Sequence, residues 1–450
     1  MKLLRVLCLT AFLSTPAYSE VEVLFHPFDP TLEKAALWIS EAQSSIDLAM
    51  YNLDVTDASP VIRMLKSDAI QSKISSGELK VRMIFEGYKG KSHATKLALG
   101  LEELGIDLRF LKSGRKVHHK FAVLDYNTDQ PRVISGSANW SLGSRSNYNE
   151  NILFMDDEQS MASRFQSEFN LLWSASEEVG EELVGNVNLF VPEAGEDPSL
   201  QVTMNSDNFR FSGLRVTRKS YDEGYVLTRE LVRAIDSAKE KLEIATTRFK
   251  LRPVYDAVLR AAARGIKVQL LVNMDQYDPY QDRKKWTLPE CQDPYLESCS
   301  ASMNFSHFLD KLEFDGHENV EVRIKFFNLD PTAYLSRQMH SKYLIVDDQT
   351  VWTGSFNWSY SGEYSHIENL VKIQGGTHVE AVAGFNRDFA QLWDLNRSQY
   401  QEFKGRMIDA LKNDKKTDCK FEPMALTFTE IDILLRMGWW YDKELKDACE

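Results

Sequence analysis

Residues 338–359, QMHSKYLIVDDQTVWTGSFNWS, have a slightly longer counterpart earlier in the chain, KVHHKFAVLDYNTDQPRVISGSANWS at residues 116–141. Both copies set a His and a Lys two positions apart, His118 with Lys120 and His340 with Lys342. An apolar run follows, ending in Asp125 or Asp347. Residues two apart on a strand share a face, so each His–Lys pair is expected on one side, with His119 turned the other way. Inside GSANWS and GSFNWS the spacing recurs as Ser137 with Asn139 and Ser355 with Asn357, on what the pattern predicts to be the neighbouring strand. Glu150 and Glu368 follow, each 11 positions after its Asn.

The repetition extends outward from these motifs, as expected of an internal duplication. LEKAALWISEAQSSIDLAMYNL in the first half matches TRELVRAIDSAKEKLEIATTRF in the second, and each reads as a helix leading into an apolar strand. Two more helix–strand units follow in each half before the motif. Phe165, Phe169, Leu172 and Trp173 then stand in the same pattern as Phe385, Phe389, Leu392 and Trp393, a helical spacing that signals core packing. Strands alternating with amphipathic helices predict an α/β sandwich in each half. The expected order is a first lobe over 20–200, a connector of Pro, Gly and acids, a second lobe over 216–400 and a C-terminal extension over 401–450. In that extension LTFTEIDILLRM reads as a helix with Thr427 or Thr429 as its N-cap.

A chain of 450 residues is too long for one core, which agrees with two lobes. Its start, MKLLRVLCLTAFLSTPAYSE, has two early cations, an apolar run to Leu13 and small residues at Ala17 and Ser19. That predicts a cleavable export signal over 1–19, because the apolar run is too short to span a bilayer. No second run approaches spanning length. The net charge is −13, and loss of Lys2 and Arg5 takes it to −15, a balance that repels polyanions at long range. Cys291, Cys299, Cys419 and Cys449 remain after cleavage; in an exported chain they suggest disulfides, 291 with 299 and 419 with 449 being the local pairing. No His lies at zinc-ligand spacing from them.

Two motif sets around one space supply the parts for phosphodiester chemistry. Lys, Asn and Ser donate to the non-bridging oxygens of a phosphate. A His beside a buried acid is oriented and stabilised when protonated. Two histidines allow one nucleophile and one general acid. The implied reaction is displacement at phosphorus through a covalent phosphohistidine.

The doubled H-x-K-x4-D, each copy followed by G-S-x-N-W-S and a Glu at equal offset, resembles the phospholipase D superfamily over roughly residues 20–400. The resemblance implies two lobes related by a pseudo-twofold axis, one shared active site between them, and no metal or other cofactor. It implies His118 as nucleophile and His340 as general acid, with Asp125 and Asp347 supporting the structure. A chain carrying both motifs is expected to work as a monomer.

The expected substrate is a glycerophospholipid at a membrane surface, making the chain a phosphoric diester hydrolase of the phospholipase D type, periplasmic or secreted. A secreted nuclease is the alternative, and a non-catalytic binding module a remote third. The insertion QYDPYQDRKKWTLPECQDPYLESCSASMNF and the basic stretches GYKGKSHATK and KSGRK suit either a lipid surface or a nucleic acid.

Overall fold

The strand Ser45–Met50 (SIDLAM) is buried along its whole length, and its counterpart Lys241–Thr246 (KLEIAT) is buried after its first residue. Strands of that kind need cover on both faces, and in the computed structural model each lies inside an eight-stranded sheet. The structure describes residues 21–86, 100–112, 114–179, 184, 197–219, 225–278, 307–327, 337–413 and 421–437. The export-signal segment, all four remaining cysteines, the stretch GYKGKSHATK and the insertion beyond Asp278 lie outside the described residues.

The first sheet runs, in spatial order, Val21–His26, Glu150–Asp156, Arg132–Gly136, Lys120–Leu124, Ser45–Met50, Lys80–Phe85, Ile106–Leu111 and Ser176–Glu178. The second runs Leu200–Met204, Asn369–Gln374, Thr350–Thr353, Lys342–Val346, Lys241–Thr246, Lys267–Asn273, Val320–Phe326 and Met424–Thr427. Strand for strand the directions agree: two parallel pairings join the three helix-linked strands, and every other pairing is antiparallel.

Two strands fall outside the expected lobe limits. Leu200–Met204, at the end of the expected first lobe and in the connector, pairs with Asn369–Gln374 and belongs to the second sheet. Met424–Thr427, from the extension, pairs with Val320–Phe326 just as Ser176–Glu178 pairs with Ile106–Leu111. Edge strands are short and interrupted by turns, so they carry little periodic signal. Thr427 caps the following helix in a capping box with Glu430.

Period two sorts the side chains. Phe121 and Val123 enter a cluster shared by both lobes, whereas Ala122 and Leu124 pack under the outer helices of the first lobe. The shared layer also holds Phe165, Phe169, Phe385 and Phe389, from helices Gln159–Ser174 and Val379–Trp393. Each helix crosses to the other lobe's first strand, and Phe25 meets Phe385 edge-on at 5.2 Å. Burial of such a ring contributes about 1.5–3 kcal/mol, so the layer holds the lobes in one arrangement. Gly384 permits the approach, since a Cβ there would stand 2.8 Å from Val23 Cγ1.

Candidate active site

His118 and His340 sit just before strands Lys120–Leu124 and Lys342–Val346, where backbone from the other lobe runs alongside. Lys116-Val117 pairs in parallel with His366-Ile367, and Asn149 bridges to Met339 in the same sense. The His118 N–H donates to the Ile367 carbonyl at 2.9 Å, and the His340 N–H to the Asn149 carbonyl at 3.0 Å. Each motif His is thereby fixed beside the residue that precedes the other lobe's glutamate. His118 Nδ1 lies 2.8 Å from Glu368 Oε2, and His340 Nδ1 bonds Glu150 Oε1. The glutamates therefore complete the opposite copy's set and not their own. That exchange leaves Nε2 of each ring free of its carboxylate, with Lys120 Nζ 3.4 Å from that of His118.

Burial is nearly complete and decides the charge states. Burial pushes the His118 ring down to about 3, against the opposing pull of Glu368. Burial also lowers His340, with Lys342 acting the same way. For Glu368, burial acts upward, but His118, His366 and Lys120 outweigh it and hold the carboxyl well below the usual carboxylate range. Glu150 is held low in the same manner by His340, His26 and Lys342. The resting site thus pairs neutral imidazoles with ionised glutamates.

The lysines follow their histidines as the period-two spacing predicts. Lys120 Nζ donates to the His118 carbonyl at 2.7 Å and lies 3.2 Å from its Nδ1; Lys342 Nζ lies 3.0 Å from His340 Nδ1. Burial depresses Lys120 to about 8 and Lys342 to about 7. Lys342 also responds to the charges of Lys120 and Glu368, so the two sets share one electrostatic space. His119 points away, as expected. Its Nε2 meets Glu168 at 3.1 Å and its Nδ1 accepts from Asn369 at 3.0 Å, inside the lobe interface.

Ser137, Asn139, Ser355 and Asn357 lie on loops after strands Arg132–Gly136 and Thr350–Thr353, not on the strands themselves. Gly136 and Gly354 make the turn, at φ 152° and 155°; a Cβ would stand 2.3 Å from the Asn151 carbonyl or 2.5 Å from that of Asn369. Ser137 Oγ accepts from the Asn151 N–H at 2.9 Å and Ser355 Oγ from the Asn369 N–H at 3.0 Å, which pins the residue after each glutamate. Asn139 is buried, with Oδ1 lacking a hydrogen-bond partner among the described residues. Asp125 and Asp347 stand at the far ends of the motif strands with left-handed backbone, φ 54° and 52°. Asp125 accepts from the N–H groups of Gln43 and Ser44, and Asp347 from those of Glu240 and Lys241, tying down the start of the next strand over.

Sequence reasoning missed several neighbours. His366 stacks on His118 at 5.3 Å and Tyr148 tilts against His340 at 5.6 Å; both stand two positions before a glutamate, the spacing already used for the motif pairs. Tyr51 lies 4.4 Å from the His118 ring. Ser144 donates to Glu150, and His26 stands 3.8 Å from the same carboxylate. Nothing in the spacing announces those last two.

A family profile described as "Cardiolipin synthase, PLD-like domain" matches residues 37–173 and 231–393. The mitochondrial cardiolipin hydrolase of Xenopus tropicalis is 26% identical over 145 residues, covering 32% of this chain and 62% of that protein. Its namesake in Danio rerio is 37% identical over 78 residues, 17% of this chain and 32% of that protein. Both matches span less than two thirds of the relative's length. Among solved structures, phosphatidylserine synthase from Haemophilus influenzae Rd KW20 shares the fold at a TM-score of 0.55 and 15% identity, over 82% of this chain and 86% of that one.

Proposed function

The chain belongs to the phospholipase D superfamily, and from that premise we propose that it is an exported phosphodiesterase hydrolysing the head-group phosphodiester of glycerophospholipids. The observation that carries this reading is the crossed pairing of His118 with Glu368 and His340 with Glu150 beside two buried lysines.

In the proposed reaction His118 Nε2 attacks phosphorus and the bond to the head-group oxygen breaks. His340 protonates that oxygen as it leaves. Water then attacks the phosphohistidine, giving its proton to the now neutral His340, and the phosphorus–nitrogen bond breaks to release phosphatidic acid. Glu368 stabilises the positive charge that develops on His118, and Glu150 supports protonated His340. The lysine ammoniums and Asn139 stabilise the non-bridging oxygens. His340 is neutral at rest, and the anionic phosphodiester supplies the charge that favours its protonation.

A lipid substrate is supported by the match to the cardiolipin synthase PLD-like family and by the similarity to mitochondrial cardiolipin hydrolases. The net charge of −13 opposes long-range capture of a polyanion. Export rests on the signal-like first residues, and among the described residues no helix is long and apolar enough to cross a membrane. Both motifs in one chain favour a monomer.

The test is turnover in chelator on phosphatidylcholine vesicles, cardiolipin vesicles and single-stranded DNA, with His340→Ala as control. Release of phosphatidic acid or free head group, lost in the variant, supports the reading. Cleavage of DNA without lipid turnover replaces it with a nuclease, and transfer to an added alcohol in preference to water makes the enzyme a transferase.

A further inference from the structure

His366 makes the two halves of the site chemically unequal. It occupies the place that Tyr148 holds in the other half. Its Nδ1 is buried with no hydrogen-bond partner among the described residues, and so is Glu368 Oε1, 3.7 Å away. Glu368 is fully buried. At 3.7 Å the two atoms are within ion-pair range but too far apart for a hydrogen bond, and a ligand between them would satisfy both. His118 completes the group: His118, His366 and Glu368 each offer one ligand atom, all within 4.8 Å of one another. Tetrahedral zinc with bonds near 2.0–2.1 Å sets its ligand atoms roughly 3.3 Å apart, so small side-chain shifts close the site.

We propose that His118, His366 and Glu368 form an inhibitory site for one zinc ion, which takes the nucleophile out of the phosphodiester reaction. Two imidazoles and one carboxylate are a donor set that zinc favours. Coordination through His118 Nδ1 moves the ring proton from Nδ1 to Nε2, so the ring stays neutral and Nε2 loses the lone pair with which it would attack phosphorus. Lys120, 3.2 Å from that nitrogen, opposes the incoming charge, so the ion is held reversibly and not as a structural metal. Among the described residues the second half shows no equivalent cluster: Tyr148 stands in the place of His366, and His26, 3.8 Å from Glu150, does not close one with His340.

The inhibition builds on the proposed function, whereas the binding does not, so the two are read separately. Metal-free full-length protein with alkylated thiols is titrated with Co2+, followed by d–d absorption, and with Zn2+ by calorimetry. One ion per chain is expected. His366→Tyr, which copies the second half, should weaken binding at least tenfold. Within each protein the ratio of turnover with zinc to turnover without it is then compared: wild type should be inhibited and restored by chelator, and the variant's ratio should stay near one. Absence of binding overturns the proposal, as does unchanged binding in His366→Tyr. Loss of binding in His378→Gln instead would move the ion to the Glu158, Asp197 and His378 cluster and overturn it equally. A protein that binds zinc but turns over no phosphodiester refutes the proposed function and leaves the metal site standing.

Discussion

His118 Nδ1 lies 2.8 Å from Oε2 of Glu368, a carboxylate 250 positions further along the chain and in the other lobe. The mirror contact joins His340 to Glu150. Neither His118 nor His340 finds its glutamate in its own lobe, so the duplication cannot be separated into two independent sites.

Substitutions that keep the shape and remove the charge test the crossing. Glu368→Gln and Glu150→Gln should each lower kcat/KM by about 10²-fold. With a p-nitrophenyl diester, whose leaving group needs no proton, Glu150→Gln should recover most of its loss and Glu368→Gln little. Recovery by Glu368→Gln alone would reverse the roles of the two histidines.

The lysines steepen the alkaline limb. The need for a protonated His340, whose ring is lowered by burial, already makes kcat/KM fall as pH rises. An ammonium is charged below its pKa, and burial brings Lys342 to about 7 and Lys120 to about 8, so the fall should steepen between roughly pH 7 and 9, where ordinary lysines are still charged. A fall of no more than tenfold per pH unit through pH 9 would remove the lysines from phosphate binding.

Neighbouring histidines should separate cleanly. His118→Ala is expected to abolish turnover with little change in thermal unfolding. His119→Ala removes a partner from the Asn369 amide and from Glu168, which keeps only Ser206, and the fold should be destabilised by about 1–3 kcal/mol. Equal stability of the two variants would contradict the assignment of His119 to the interface.

Asp125→Ala removes the acceptor for backbone N–H groups at the start of strand Ser45–Met50. Stability should fall by about 1–3 kcal/mol, while kcat per folded molecule changes by less than about tenfold. A loss as large as that of His118→Ala would place Asp125 in the chemistry.

Local periodicity made the helix–strand units legible, and it put Lys120 beside His118 and turned His119 away. The doubled motif picked out the His, Lys and Glu side chains that the structure brings together between the lobes. It could not reveal that Glu150 serves His340, because equal offsets within each copy look the same whether the lobes keep or exchange their acids. That exchange follows from the parallel contacts at His366-Ile367 and Asn149, which are only a residue or two long. Ser137 and Ser355 carry a further lesson: a spacing that suggests a phosphate donor does not show that each hydroxyl also accepts from the N–H after the glutamate. Edge strands such as Leu200–Met204 were missed because a five-residue strand in a Pro- and acid-rich stretch has no repeat to betray it.

The central claim is a single site in which one motif histidine becomes covalently bound to phosphorus. It is tested most directly by quenching wild-type enzyme in alkali during turnover of phosphatidylcholine, digesting it, and locating the phosphorus-bearing peptide by mass spectrometry. The account predicts an adduct on His118, absent from His118→Ala. Turnover with no adduct on either motif histidine would contradict it.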